Sequence, residues 1–171
     1  MFDERIMKNL VAECKNELES IGLQLPTINY VLNTRAKKRM GQCRSKIKNV
    51  YYEIELSKNY MDIYAKQNNF SEIKNTIIHE MLHTLPNCMN HGNQWQSYAN
   101  TVNRKLGYKI SRLASVDNEV KQEMVQKAKY HVICNECGQI YYHNRKTKYF
   151  DVLDRCSCHK CKGSLKLIQN Y

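Results

Sequence analysis

Two histidines four residues apart, with a glutamate directly after the first, form the segment His79-Glu80-Met81-Leu82-His83 within an otherwise apolar stretch. On a helix, residues i and i+4 lie one above the other on the same face. Both imidazoles could then reach one metal ion at the roughly 2.0–2.1 Å that zinc requires. Glu80 would flank the metal and act as general base, taking a proton from the attacking water. A catalytic zinc needs three protein ligands and one open position. His91, after the turn at Pro86-Asn87, is the candidate for the third ligand. Alone, His91 would read as a helix cap or a surface histidine, but close behind such a pair it reads as a ligand. The chemistry this implies is zinc-dependent peptide hydrolysis.

A second constellation lies near the C-terminus. Cys134-x2-Cys137 and Cys158-x2-Cys161 are separated by twenty residues, which suits a four-cysteine structural zinc site. Cys156 could take the place of Cys158, although Cys158 preserves the paired geometry. Two such pairs argue against a redox motif. His131, His143 and His159 read as surface residues. Two zinc ions are therefore expected, one catalytic and one structural. A module this small has too few residues for a hydrophobic core, so metal would supply most of its folding energy.

The elements that must position these groups follow from periodicity. Ile6, Leu10, Cys14, Leu18 and Ile21 mark an amphipathic helix over residues 3 to 21. A short strand with Ile28, Tyr30 and Leu32 on one face follows Pro26. Asn49 to Ser57 alternates most clearly, with Val50, Tyr52, Ile54 and Leu56 inward. A second helix starts at Asn69, with Glu72 at capping-box spacing, and runs to Pro86 with the histidine pair at its middle. A third runs from Gly92 to Gly107, with Trp95, Tyr98, Ala99, Val102 and Leu106 inward. Residues 114–129 read as a surface helix or linker, and short aromatic strands surround the cysteines from Tyr130 onward. The strand near Val50 to Leu56 is expected to lie above the metal and align substrate by strand addition.

The chain has 171 residues, 42% of them hydrophobic, and a net charge of +11. It has no apolar run of membrane-spanning length, and its opening residues do not form a signal peptide, so a cytoplasmic or nucleoid-associated protein with no membrane partner is expected. Arg35, Lys37, Lys38, Arg39, Arg44, Lys46 and Lys48 form a run without an acid. Arg145, Lys146 and Lys148 begin a second cluster. Such a surplus favours polyanions, nucleic acid first. Solvated lysines kept for solubility would give the same composition. With Tyr141, Tyr142 and Tyr149 nearby, single-stranded DNA is the favoured partner beside protein substrates. Arg35, Lys37, Lys38, Arg39, Arg145, Lys146 and Lys148 are the candidate contacts.

The segment IIHEMLHTLPNCMNHGNQW resembles the active-site helix and third-ligand turn of the SprT-like, or Spartan, metalloproteases. RAKKRMGQCR followed by YYEIELS resembles the basic turn and strand that precede it there, and the cysteine pairs resemble that family's zinc ribbon. The resemblance implies an α+β protein: a small zincin-like metalloprotease domain over residues 1–113, a linker or helix over 114–129 and a zinc ribbon over 130–171. It implies His79, His83 and His91 as zinc ligands, Glu80 as catalytic base, and action on DNA-bound or DNA-crosslinked proteins. Two other readings compete: a nucleic-acid-binding protein whose zincin domain is only a scaffold, and a metallopeptidase without a DNA role. A scaffold would have no use for Glu80, and the basic clusters speak against the second.

Overall fold

The computed structural model describes residues 1–47, 50–112 and 118–170. Lys48 of the basic run, Asn49 of the predicted strand and residues 114–117 of the predicted linker lie outside the described residues. The chain mixes helix and sheet and divides into two compact units, Met1–Val116 and Asp117–Tyr171. Among the described residues no helix is long and apolar enough to cross a membrane.

The first unit opens with α1 (Glu4–Ser20), whose first turn is capped by Asp3 accepting the Ile6 N–H at 2.8 Å. Met7, Leu10, Cys14 and Leu18 form its buried stripe. Three strands follow: β1 (Thr27–Asn33), β2 (Gly41–Ile47) and β3 (Tyr51–Ser57). The sheet order is β1-β3-β2, with β1 parallel and β2 antiparallel to β3. β3 is thus hydrogen-bonded on both sides and has no edge for strand addition, contrary to expectation. The edge strand on that side of the sheet is β2.

β2 begins within the segment expected to be only a basic turn. Its positive charges are met by acids from the neighbouring strand. Gln42 lies opposite Glu55 and Arg44 opposite Glu53. Glu55 is almost buried and pairs with Arg39 at 3.0 Å and Arg44 at 2.8 Å, while Lys46 pairs with Glu53 at 2.9 Å. The run has no acid in its own sequence, and the fold supplies the acids across the ladder.

A short helix that the periodicity did not reveal, α2 (Lys58–Lys66), comes next and buries Tyr60, Met61, Ile63 and Tyr64. α3 (Phe70–Leu82) follows, capped by Asn69 accepting the Glu72 N–H. Ile73, Ile77 and Met81 are buried as the pattern predicts, but so are Thr76, Ile78 and Leu82. The helix touches α1, α2, α4, β2 and β3. It ends at Leu82, so the histidine pair sits at its C-terminal end and not its middle. Proline disfavours helical backbone at the residue before it, and ahead of Pro86 the chain tightens into three-residue turns, His83 N–H to Glu80 O and Thr84 N–H to Met81 O.

α4 (Asn93–Leu106) buries Trp95, Ala99 and Val102 and stops at Gly107. The chain then doubles back, and Asn103 clamps it: its amide donates to Ile110 O at 2.8 Å and accepts the Ile110 N–H at 2.7 Å. Asn75 accepts the Lys109 N–H at 3.1 Å.

The second unit begins with α5 (Asn118–Gln126), followed by β4 (Tyr130–Cys134), β5 (Ile140–His143), a 3₁₀ segment (Lys148–Arg155) and β6 (Leu165–Gln169). The antiparallel order is β5-β4-β6. Tyr130, Val132, Phe150 and Leu153 form a small core, and Tyr141, Tyr149 and Leu165 pack against it. Of the three tyrosines expected at the surface, only Tyr142 is fully exposed, because Tyr141 and Tyr149 fall on the inward face.

Replacing Asn103 with alanine leaves both backbone groups of Ile110 without their partner. The expected cost is about 1–3 kcal/mol per buried group left unsatisfied. A urea unfolding midpoint equal to that of the wild type would show that solvent replaces the clamp.

Candidate metal centres

The predicted triad is assembled from the end of one helix and the turn that leads into the next. His79 projects from the last turn of α3, His83 is that helix's C-terminal cap, and His91 sits directly before Gly92, the residue that caps α4. Their ring nitrogens converge. Nε2 of His91 lies 2.9 Å from Nε2 of His79 and 3.2 Å from Nε2 of His83. A tetrahedral ion with nitrogen ligands at 2.0–2.1 Å sets ligand–ligand separations of about 3.3 Å. The donor set therefore has the right size for zinc, and lone pairs this close repel unless a cation lies between them.

The outer nitrogens of two of the rings are tied to backbone. His79 Nδ1 donates to Ser111 O at 3.1 Å, and His83 Nδ1 donates to Cys88 O at 2.6 Å. Each bond leaves Nε2 unprotonated and facing inward, the arrangement that orients a metal-binding imidazole. Burial also favours the neutral ring. It pushes His79 down to about 4, helped by His83 and His91, and lowers His83 and His91 as well. The Trp95 indole underlies all three rings, with centroid separations of 4.8, 5.6 and 4.6 Å to His79, His83 and His91. The sequence pattern did not single out Ser111 or Cys88, because a backbone carbonyl carries no residue-type signal.

Glu80 is buried beside the triad. Burial raises its carboxyl to about 7, opposed by the Cys43 N–H, which hydrogen-bonds to it, and by the Arg39 charge. β2 can come this close only because residue 41 is glycine. A methyl group there would lie 2.8 Å from both Cγ and Oε1 of Glu80. Any side chain at Gly41 would have to displace the carboxylate or the strand. The triad and Glu80 border a cavity of about 500 Å³ open to solvent.

In the second unit, Cys134, Cys137, Cys158 and Cys161 form a cluster whose ligand atoms all lie within 4.8 Å of one another. Sγ separations of 3.4 Å (Cys134–Cys161) and 3.6 Å (Cys137–Cys158) approach the roughly 3.8 Å expected around tetrahedral zinc with thiolates at 2.3 Å. Cys156 is not in the cluster. The Tyr141 hydroxyl lies 3.2 Å from Cys158 Sγ and accepts the His159 N–H at 3.0 Å. Gly163 has no room for a Cβ, since Glu136 lies against it. The histidines outside the triad do not enter either cluster. The candidate nucleic-acid residues Arg145, Lys146 and Lys148 are exposed, as are Arg35 and Lys38; Lys37 is half-buried, and Arg39 is drawn to Glu55.

The sequence model of the SprT-like family matches residues 4–121, and the chain belongs to that family. A comparison with curated proteins returned no match. The match spans the first unit, and the cysteine cluster beyond it is consistent with a zinc ribbon.

Both donor sets suggest zinc. Metal analysis of the purified chain is expected to give two zinc ions, with the three-histidine site emptied by chelator before the four-thiolate site. A total of one would eliminate one of the two centres.

Proposed function

We propose that this SprT-like chain is a zinc-dependent endopeptidase acting on DNA-bound or DNA-crosslinked proteins. The observation that supports it best is the convergence of three neutral imidazole nitrogens beside a buried carboxylate at the wall of an open cavity. His79, His83 and His91 would hold the catalytic ion, and Cys134, Cys137, Cys158 and Cys161 the structural one. When bound, zinc supplies Lewis acidity toward a carbonyl oxygen and a water molecule. Glu80 takes the proton from the water and returns it to the leaving amine. Burial raises its affinity for a proton, and the charge of a zinc ion bound nearby would act in the opposite direction. The Cys43 N–H and the closeness of Gly41 hold the carboxylate in place while it works.

A scaffold-only role has no use for Glu80 in this position. Burying a carboxylate costs stability whether or not it is used, and α3 would be more stable with an apolar residue there. Glu80→Gln keeps the shape and leaves the histidines alone. Zinc is expected to stay bound while hydrolysis of an unstructured peptide falls by roughly 10²–10⁴. Near-normal cleavage by this variant would end the assignment of Glu80.

The DNA part of the reading is supported by the second unit. The outward face of β5-β4-β6 carries Ile140, Tyr142, His131, Ile133, Lys166 and Ile168, brought together by the register of the strands. Tyr142, Ile140 and Ile168 are exposed there, which suits stacking of unpaired bases, while Arg145, Lys146 and Lys148 follow β5 directly. If phosphates are bound, affinity falls with salt. Replacing those three cations with alanine is expected to weaken binding of a single-stranded oligonucleotide and to flatten the salt slope together. Tyr142→Ala should weaken binding with the slope kept. Absence of wild-type binding even at low salt would leave a peptidase without a DNA role.

A further inference from the structure

The cavity around the triad has a one-sided charge. Lys38 and Arg39 line it just ahead of β2, and Lys109 and Arg112 line it from the segment after α4. The two groups of cations come from different parts of the chain, yet they border the same histidines. The only carboxylates in the wall, among the described residues, are Glu72 and Glu80. Glu80 is buried, and Glu72 is engaged by the Asn75 amide at 3.1 Å.

Arg39 is drawn to Glu55 and contributes field more than contact. Lys38, Lys109 and Arg112 are exposed and, among the described residues, have no acidic partner. A cleft with low-dielectric walls and charges of one sign concentrates ligands of the other sign. A peptide seated in this cavity would meet cations from both segments.

We propose that this site selects peptide segments rich in aspartate and glutamate, with Lys38, Lys109 and Arg112, supplied by two separate segments of its wall, as specificity-determining residues. The proposal rests on the reading of the site as a peptidase and adds to it a substrate class. The basic surplus of the first unit then serves substrate selection at the cleft, separately from any nucleic-acid contact made by the second unit. Since the three cations are solvent-exposed, their effect is screened by salt and falls mainly on KM.

The test uses the zinc-loaded full chain and three fluorogenic peptides of equal length, with acidic, neutral or basic residues around one shared central sequence. At low salt kcat/KM is expected to be roughly tenfold higher for the acidic than for the neutral peptide, and lowest for the basic one. Half-molar salt should shrink that ratio. The combined variant Lys38→Gln, Lys109→Gln and Arg112→Gln should bring it toward one, and Lys109→Arg should keep it. Binding of the same peptides to Glu80→Gln, read by anisotropy, reports the preference without turnover. Equal turnover of all three peptides, abolished by Glu80→Gln, would overturn the charge preference and leave the peptidase reading intact. Glu80-independent cleavage would overturn the peptidase reading instead, and the anisotropy series would still decide the preference. If the peptides bind alike while a single-stranded oligonucleotide competes with all of them, and competes less in the triple variant, the cations serve nucleic acid and the proposal fails.

Discussion

Burial of α3 on nearly every side is the constraint from which the rest of the first unit follows. Ile73, Ile77, Ile78, Met81 and Leu82 are fully enclosed, each worth about 1.5–3 kcal/mol as an upper estimate. That total outweighs the cost of seating several polar groups on the same helix, typically 1–3 kcal/mol for each one left unsatisfied. Most of those groups find partners close by. Thr76 donates to Glu72 O and Thr84 to Met81 O, while His83 Nδ1 reaches Cys88 O. What remains unmatched is the set of inward-facing Nε2 lone pairs, which a cation would satisfy together. A metal ion held there would join the end of this largely buried helix to the turn that carries His91.

The surroundings of the triad are built by chain segments that have no chemistry of their own. The turn after Pro86 supplies the Cys88 carbonyl and swings His91 back over the helix end. The segment after Gly107 supplies the Ser111 carbonyl, and Asn103 and Asn75 pin that segment by its backbone. β2 closes the third side, pressing its backbone onto Glu80 across Gly41. The hydrogen bonds that the His79 and His83 ring N–H groups donate to these carbonyls fix tautomer and direction at once, so the orientation of those two rings does not depend on a metal.

The second unit solves a different problem. Tyr130, Val132, Phe150 and Leu153 form a small buried cluster against its sheet, a modest core for three strands. The thiolate cluster joins the turn after β4 to the turn before β6, which is where metal binding adds most to folding. Recruiting Tyr141 and Tyr149 to that small core, with Tyr141 also reaching Cys158, takes two aromatics away from the surface and leaves Tyr142 to face solvent.

Much of this was legible in the residues alone, for reasons of local physics. A four-residue histidine spacing places two rings on one helical face wherever the helix goes, paired cysteines place two thiolates in one turn, and alternation in 51–57 marks a strand half-buried in any sheet. Those signals depend on one element at a time, as do the helix ends marked by Asn69 and Gly107. What they could not carry is whatever depends on two elements meeting. Whether β3 has a free edge is decided by which strands flank it. Because β2 pairs with β3, Glu53 and Glu55 meet Arg39, Arg44 and Lys46 of a run that looks uniformly basic, which no spacing along the chain reveals. The carbonyls of Ser111 and Cys88 have no side-chain signature, and α2 is too short for its periodicity to stand out. Tyr141 and Tyr142 are neighbours in sequence, yet the pleat sends them to opposite faces, and only the packed sheet decides which face is buried.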